Sequence, residues 1–187
     1  SKILFVAATS LNFVRKGAVY FFDALNLIKD EIAAGDRITI LTAGHASVAE
    51  IRSKIPDCFD HVHLGYLHDD VTLALAYQAS NFFVCPSIED SGPMMINEAI
   101  MCGTPVVSFE LGVALDLVVP GKTGYRADLR SSHDLANGIR TMLMMSEEEE
   151  LVMANNAREL AVRSCSPESQ LESFTNLMFE ELGKISG

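Results

Sequence analysis

Short apolar runs alternate with longer amphipathic stretches along the chain. The apolar runs predict strands near residues 2–8, 37–42, 61–64, 81–85, 105–109 and 124–127. The amphipathic stretches predict helices near residues 16–33, 46–53, 70–79, 93–102, 113–118, 132–145, 147–163 and 167–182. Because strands and helices alternate in this way, the pattern predicts an α/β fold with a doubly wound, mostly parallel, Rossmann-like sheet.

The last two predicted helices carry start signals. Ser146 followed by Glu149 is a capping-box pattern, so the acidic run 147–150 is interpreted as a helix start stabilised by the helix dipole. The final helix begins at Ser166 and Pro167. Its apolar residues form one stripe, which predicts that this helix packs on another surface: Leu171, Phe174, Leu177, Met178 and Leu182.

Composition narrows the class of protein. A chain of 187 residues with 49% hydrophobic and 21% charged residues is typical of one folded domain. Its net charge of −11 argues against nucleic acid and anionic membrane as partners. The four cysteines form no Cys-x-x-Cys pair and are expected to be reduced, as in a cytosolic protein. We see no signal peptide and no apolar run of the ~20 residues that a membrane span needs.

Residues 85–107 combine a strand end, an acidic turn and a helix start. Pro86 ends the preceding apolar strand, and Pro93 fits the first turn of the following helix. The N–H groups of Met94 and Met95 would then lack intrahelical partners, which makes the helix start an anion site.

Glu98 lies four residues beyond Met94 and three beyond Met95, on the same face of this helix. Amides that hold a diphosphate and a carboxylate that holds ribose hydroxyls would together suit a nucleotide.

The sequence lacks the motifs of several other ligand-binding and catalytic sites. The chain has no Gly-x-Gly-x-x-Gly, no Gly-x4-Gly-Lys-Ser/Thr, no Gly-x-Ser-x-Gly and no Asp-x-Asp. His61 and His63 alternate on one strand face, but no carboxylate or cysteine completes a familiar metal-ligand spacing. We therefore interpret the histidines as structural or surface residues.

Residues 85–107 also resemble the acidic-x7-Glu signature of retaining, family 4-type glycosyltransferases of the GT-B fold, in their C-terminal, donor-binding half. The run from Glu98 through Gly103 and Pro105 to Val107 matches the Glu-Ala-x3-Gly-x-Pro-Val-Val part of that signature. Asp90 keeps the expected spacing to Glu98 and is favoured as the first acid. Glu89, with a one-residue shift in the turn, is the alternative.

The resemblance extends over residues 2–145. After the first strand, Lys16-Gly17 matches the family's Lys-Gly pair, whereas its Gly-Arg pair is replaced by Ala8-Thr9 or Thr9-Ser10. Arg15 is the candidate for the missing arginine. Residues 62–67 resemble the strand and turn whose backbone contacts the base, and residues 119–124 resemble the family's closing Pro-Gly-x-Thr-Gly turn.

The resemblance implies a domain that binds a UDP-, GDP- or ADP-sugar, in an enzyme that transfers the sugar with retention to a glycan or lipid-linked acceptor. Lys16 and Arg15 would stabilise the charge on the leaving diphosphate, Asp90 would orient the sugar and Glu98 would hold the ribose. The remaining implied binding residues are Tyr66, Leu67, Ser91, Gly92, Pro93, Met94 and Met95.

The same resemblance implies a second, N-terminal domain that carries the acceptor site. We expect residues 1–187 to be a single nucleotide-sugar-binding domain that binds donor weakly and transfers nothing by itself, with part of the final helix's apolar stripe exposed. Protein groups would neutralise the negative charge of the diphosphate, so no cofactor and no metal ion are expected. We expect a cytoplasmic location, with the full-length protein either free or peripheral at the inner membrane face.

Two rival functions remain open. One is a nucleotide-binding regulatory module without catalysis, against which the acidic pair Asp90 and Glu98 counts. The other is a nucleotide-sugar epimerase of the related two-domain fold. The sequence leaves the base, the sugar, the acceptor and the oligomeric state undetermined.

Overall fold

A computed structural model describes residues 1–7, 14–33, 35–89 and 94–185, except for the side chains of residues 172–173 and 180–185. Within these ranges, six strands form one sheet: β1 (Lys2–Ala7), β2 (Ile38–Ala43), β3 (Asp60–His63), β4 (Phe82–Cys85), β5 (Val106–Phe109) and β6 (Gly124–Ala127). The strands lie in the order β3-β2-β1-β4-β5-β6, and every neighbouring pair is parallel. The predicted doubly wound, parallel α/β fold is confirmed.

Helices connect the strands and continue beyond the sheet. They are α1 (Ala18–Ile28), α2 (Val48–Arg52), α3 (Asp70–Gln78), α4 (Met94–Met101), α5 (Ala114–Leu117), α6 (Ser132–Leu143), α7 (Glu147–Cys165) and α8 (Pro167–Ile185). Each corresponds to a predicted helix. The long first helix predicted for 16–33 is shorter than expected, because short 3-10 turns at Val14–Lys16 and Lys29–Glu31 flank α1.

The sheet separates two hydrophobic cores. Side chains of a strand point alternately to its two faces, so Leu4 and Val6 of β1 lie in one core and Phe5 lies in the other. Helices α1, α2 and α6 cover the first face, and α3, α4, α5 and α7 cover the second. Both faces of the central strands are thus buried, which explains their uninterrupted apolar runs.

The strand order reverses direction between β1 and β4. From β1 the chain proceeds through α1 to β2 on one side, whereas β4 leads through α4 to β5 on the other side. The loops at the carboxyl ends of these strands therefore diverge to opposite faces of the sheet. A crevice at this position is where open α/β sheets bind ligands.

The two C-terminal helices extend the second face. The capping box predicted at Ser146 and Glu149 is present at the start of α7, and Glu150 in the same turn pairs with Lys2 of β1. Helix α8 contacts α7, but the described residues of its apolar stripe are exposed, with Leu171 at 67% and Phe174 at 62%. None of the described helices has the length and apolar character needed to cross a membrane.

Candidate functional site

A cleft of about 240 Å³ opens at the carboxyl ends of β1 and β2, beside α4. We name it the Glu98 cleft, because four predicted site residues line it: Tyr66, Leu67, Met95 and Glu98. A larger groove of about 560 Å³ lies between α1 and the loop before β3, but no predicted site residue lines it. The Glu98 cleft therefore forms the candidate site, at the edge of the sheet where ligands bind.

The carboxylate of Glu98 is held from the neighbouring helix. Tyr77 of α3 donates a hydrogen bond from its hydroxyl to Glu98 Oε2 over 3.1 Å. The Tyr77 ring is fully buried and meets the rings of Phe5 and Phe83 edge-on, at centroid distances of 5.2 and 5.1 Å. Burial first, and the charge of Glu98 second, raise the pKa of Tyr77, so its hydroxyl stays protonated and remains a donor.

Tyr77 was not among the residues predicted for the site, because in the sequence it is one apolar position of an amphipathic helix. A signal was available: a tyrosine on the buried face of a helix needs a hydrogen-bond partner for its hydroxyl. The pattern alone does not say which group that partner is, since Glu98 lies 21 residues further along the chain.

Tyr66 lies at the rim of the Glu98 cleft between two histidines. Its ring stacks on His45, with centroids 4.2 Å apart and planes 10° apart, and meets His68 at 4.8 Å in an edge-on arrangement. The backbone that precedes Tyr66 is also fixed, because the N–H of Gly44 donates to the carbonyl of Gly65 over 2.8 Å. The loops after β2 and β3 thus hold the Tyr66–Leu67 backbone in place along the cleft.

The turn that carries Arg15 and Lys16 contacts the loop after β4. The carbonyl of Arg15 accepts hydrogen bonds from the N–H groups of Ile88 at 2.9 Å and Glu89 at 3.4 Å. Arg15 is exposed and Lys16 is half-buried, and neither lines the Glu98 cleft. The structure therefore brings the predicted cationic turn against the acidic loop, at the same edge of the sheet as the cleft.

Comparison with known proteins identifies the family. Residues 1–145 match the sequence model of the family described as glycosyl transferases group 1. The chain belongs to the group 1 glycosyl transferases. Among curated proteins, it is 25% identical over 130 residues to the phosphatidyl-myo-inositol mannosyltransferase of Mycobacterium leprae, covering 69% of this chain and 34% of that protein. The chain spans about a third or less of the length of the curated relatives it matches.

Solved glycosyltransferases share the fold. A variant of TarM from S. aureus, crystallised with fondaparinux, alpha-GlcNAc-glycerol and UDP, superposes with a TM-score of 0.76 at 21% identity, over 94% of this chain and 35% of TarM. The C-terminal domain of a group 1 glycosyl transferase, LpcC, from Francisella tularensis superposes with a TM-score of 0.68 at 16% identity, over 88% of this chain and 85% of that domain. The expected GT-B resemblance of this glycosyltransferase chain is thereby confirmed at the level of the fold.

The acidic turn of the glycosyltransferase signature is only partly described. Asp90, Ser91, Gly92 and Pro93 lie outside the described residues, so their predicted roles stay predictions. Glu89 forms an exposed ion pair with Arg130 over 3.5 Å. The choice between Asp90 and Glu89 as the first acid therefore stays open.

Helix α4 begins at Met94 among the described residues, next to this turn. The Met94 side chain is exposed and does not line the Glu98 cleft, whereas Met95 does. Only the backbone N–H of Met94 was predicted to contact the donor. The exposed side chain does not bear on that role.

The histidines of β3 contact a threonine of β2. Thr42 Oγ1 lies 2.9 Å from His61 Nε2 and 2.8 Å from His63 Nδ1. Burial, followed by the neighbouring His63 and Arg52, lowers the pKa of His61. In the part of the chain that the structure describes, no group of three histidine, cysteine, aspartate or glutamate residues is placed to hold a metal ion.

Proposed function

We propose that this chain is the donor-binding half of a two-domain glycosyltransferase that uses a nucleoside-diphosphate sugar, retains the configuration of the transferred sugar and needs no metal ion. The observation that carries the proposal is the Glu98 cleft, where a carboxylate and the backbone of Tyr66 and Leu67 meet at the switch point of a parallel sheet. Membership of the group 1 glycosyl transferases supports sugar transfer as the reaction.

The cleft accounts for binding of the nucleoside. The Glu98 carboxylate accepts hydrogen bonds from the ribose hydroxyls, and such charge-assisted bonds are stronger than neutral ones. The backbone of Tyr66 and Leu67, held by the contacts of His45 and Gly44, pairs with the edge of the base. Base recognition by a fixed backbone suits a site that must discriminate among UDP, GDP and ADP.

Charge stabilisation accounts for catalysis. As the bond between the anomeric carbon and the phosphate oxygen breaks, negative charge grows on the leaving diphosphate. We assign stabilisation of that charge to the N–H groups of Met94 and Met95 at the start of α4, together with Lys16 and Arg15, whose turn contacts the loop after β4. Preorganised donors of this kind lower the barrier to transfer. Asp90 orients the sugar hydroxyls.

The relatives support a second domain and a glycan or lipid-linked acceptor. This chain covers about a third of the mannosyltransferase of Mycobacterium leprae and of TarM, and most of the separate C-terminal domain from Francisella tularensis. The name of the first relative describes transfer of mannose to a phosphatidyl-inositol, and the TarM complex contains UDP and alpha-GlcNAc-glycerol. By analogy, an N-terminal domain of the enzyme supplies the acceptor site, and this chain alone transfers nothing.

Calorimetric titration with UDP, GDP and ADP, with and without EDTA, tests the proposal. We expect saturable binding of one nucleotide that survives EDTA and weakens in both Glu98→Ala and Lys16→Ala. The matched controls are Glu148→Ala and Lys122→Ala, which change the charge equally at exposed positions away from the cleft. Absence of binding at millimolar concentration, in this chain and in the full-length protein, would refute the donor site. Loss of binding in EDTA would refute metal independence alone.

Assays of the full-length protein distinguish sugar transfer from epimerisation, the rival reaction. Incubation with the preferred nucleotide sugar and no acceptor should leave the sugar configuration unchanged, whereas an epimerase would convert it. With an acceptor, proton NMR of the new anomeric centre reports retention or inversion.

A further inference from the structure

We propose that Tyr77 is a positioning residue for the nucleotide site, whose hydroxyl holds Oε2 of Glu98 so that Oε1 is presented to the ribose hydroxyls. The proposal rests on the proposed function of the Glu98 cleft and adds a residue that acts through Glu98. Tyr77 lies on α3 and Glu98 lies on α4, so the contact joins two helices on the same face of the sheet.

The position of the Tyr77 side chain is fixed at both ends. Its ring has no exposed surface and is enclosed by Phe5 of β1 and Phe83 of β4. Its backbone carbonyl accepts a hydrogen bond from Thr104 Oγ1 over 2.9 Å, in the turn that follows α4. The hydroxyl therefore has a defined position at the wall of the cleft, because the ring that carries it is held in place.

Glu98 retains hydrogen-bonding capacity for a ligand. A carboxylate offers two oxygens with about four acceptor positions. Within the described ranges, the hydrogen bond from Tyr77 to Oε2 is the one that Glu98 accepts. Because Glu98 lines the cleft, its remaining acceptor positions are available to O–H donors that enter it.

A second tyrosine–carboxylate pair in the chain shows the contrasting arrangement. Tyr125 donates to Asp134 Oδ1 over 2.8 Å, and Asp134 Oδ2 accepts the backbone N–H of Asp128, also over 2.8 Å. Both oxygens of Asp134 are thus engaged by the protein itself, as in a structural contact that stabilises the start of α6. Among the residues that the structure describes, only Oε2 of Glu98 is engaged, which is the arrangement expected of a carboxylate that binds a ligand.

Holding Glu98 in advance favours binding. An unrestrained glutamate side chain loses rotamer freedom when it is ordered by a ligand, and that loss weakens affinity. The hydrogen bond from Tyr77 orders the carboxylate before the nucleotide arrives. Removal of the hydroxyl should therefore weaken only those ligands that use Glu98.

The test compares two ligands in the variant Tyr77→Phe, which keeps the ring and removes the hydroxyl. Calorimetry would measure the Kd of the nucleotide that binds best among UDP, GDP and ADP, and of its 2′,3′-dideoxy analogue. We expect Tyr77→Phe to weaken the ribonucleotide about 3- to 10-fold and the dideoxy analogue less than about 2-fold. Tyr125→Phe is the matched control and should change neither value.

A double-variant cycle supplies a second readout. Once Glu98 is replaced by alanine, Tyr77→Phe should cause no further loss of ribonucleotide affinity, because the two residues act as one unit. In the full-length enzyme, the single variant Tyr77→Phe should raise KM for the donor and leave kcat nearly unchanged. This is expected when ground-state and transition-state binding weaken equally.

The outcomes separate this inference from the function on which it rests. If no nucleotide binds the unmodified protein, the proposed function fails and this inference fails with it. If the nucleotide binds and Tyr77→Phe weakens both ligands equally, weakens neither, or abolishes the cooperative thermal transition, Tyr77 serves the fold and only the positioning role is overturned.

Discussion

Gly17 lies directly against the backbone carbonyl of Pro86. A Cβ atom built at residue 17 would fall 1.8 Å from that oxygen, and the residue has φ of 64°, in the left-handed region. Glycine is the residue that meets both conditions without strain. The contact holds the turn after β1 against the loop after β4, and thus the Lys16 side of the predicted site against its acidic side.

Replacement of Gly17 by alanine should destabilise the fold at this junction. We expect the free energy of unfolding to fall by about 1–3 kcal/mol more than in Gly121→Ala, because the added methyl group displaces backbone. Gly121 is the matched control, since its φ is 71° and nothing lies within 4 Å of a Cβ there. Urea denaturation of both variants measures the difference. Equal losses would mean that the Pro86 contact is relieved easily.

The stack of His45 on Tyr66 should contribute to nucleotide binding through the backbone that it holds. In His45→Ala, we expect the affinity for the preferred nucleotide to fall about 2- to 5-fold, consistent with the value of one aromatic contact. Calorimetry measures the change, with the exposed His133→Ala as the control. Unchanged affinity would show that the loop after β3 keeps its conformation without the stack.

The lowered pKa of His61 predicts a loss of stability in acid. Near pH 6 the folded protein binds fewer protons at this residue than the unfolded chain, whose histidine titrates near 6.5. Its contribution to stability is therefore complete above about pH 6.5 and is lost as the pH falls through the lower folded-state value. We expect the Tm to decrease between about pH 7.5 and pH 5.

The variant His61→Gln should show a shallower decrease of the Tm over the same range. The exposed His133→Gln should retain the slope of the unmodified protein. If His61→Gln and the unmodified protein gave parallel curves, the acid sensitivity would have to come from another group.

The exposed stripe of α8 should tolerate polar replacement in this chain. Phe174 is 62% exposed, so Phe174→Ser should change the free energy of unfolding by less than about 0.5 kcal/mol. The matched control is Phe83→Ser, at a fully buried position of β4, which should be severely destabilising. Thermal unfolding compares the two, and a large loss in Phe174→Ser would mean that this face is packed in solution.

Much of the site could be predicted because its parts are local in sequence. The run from Glu98 to Val107 contains a helix, a turn and a strand whose boundaries follow from glycine, proline and apolar spacing, and α4 and β5 lie where these signals indicate. The sequence also predicted that the candidate site residues lie at one sheet edge, since parallel strands end on the same side. The roles of Asp90 and its neighbours stay predictions, because those residues lie outside the described ranges.

The sequence by itself determined the succession of strands and helices along the chain, the class of fold and the helix that carries Glu98. Periods of 2 and 3.6 residues and the backbone limits of proline and glycine act within a few residues, so they can be read without the fold. Only the tertiary structure decided that Tyr77 meets Glu98 and that Gly17 meets Pro86. These contacts join residues far apart in the chain, and their distances depend on how helices pack on the sheet.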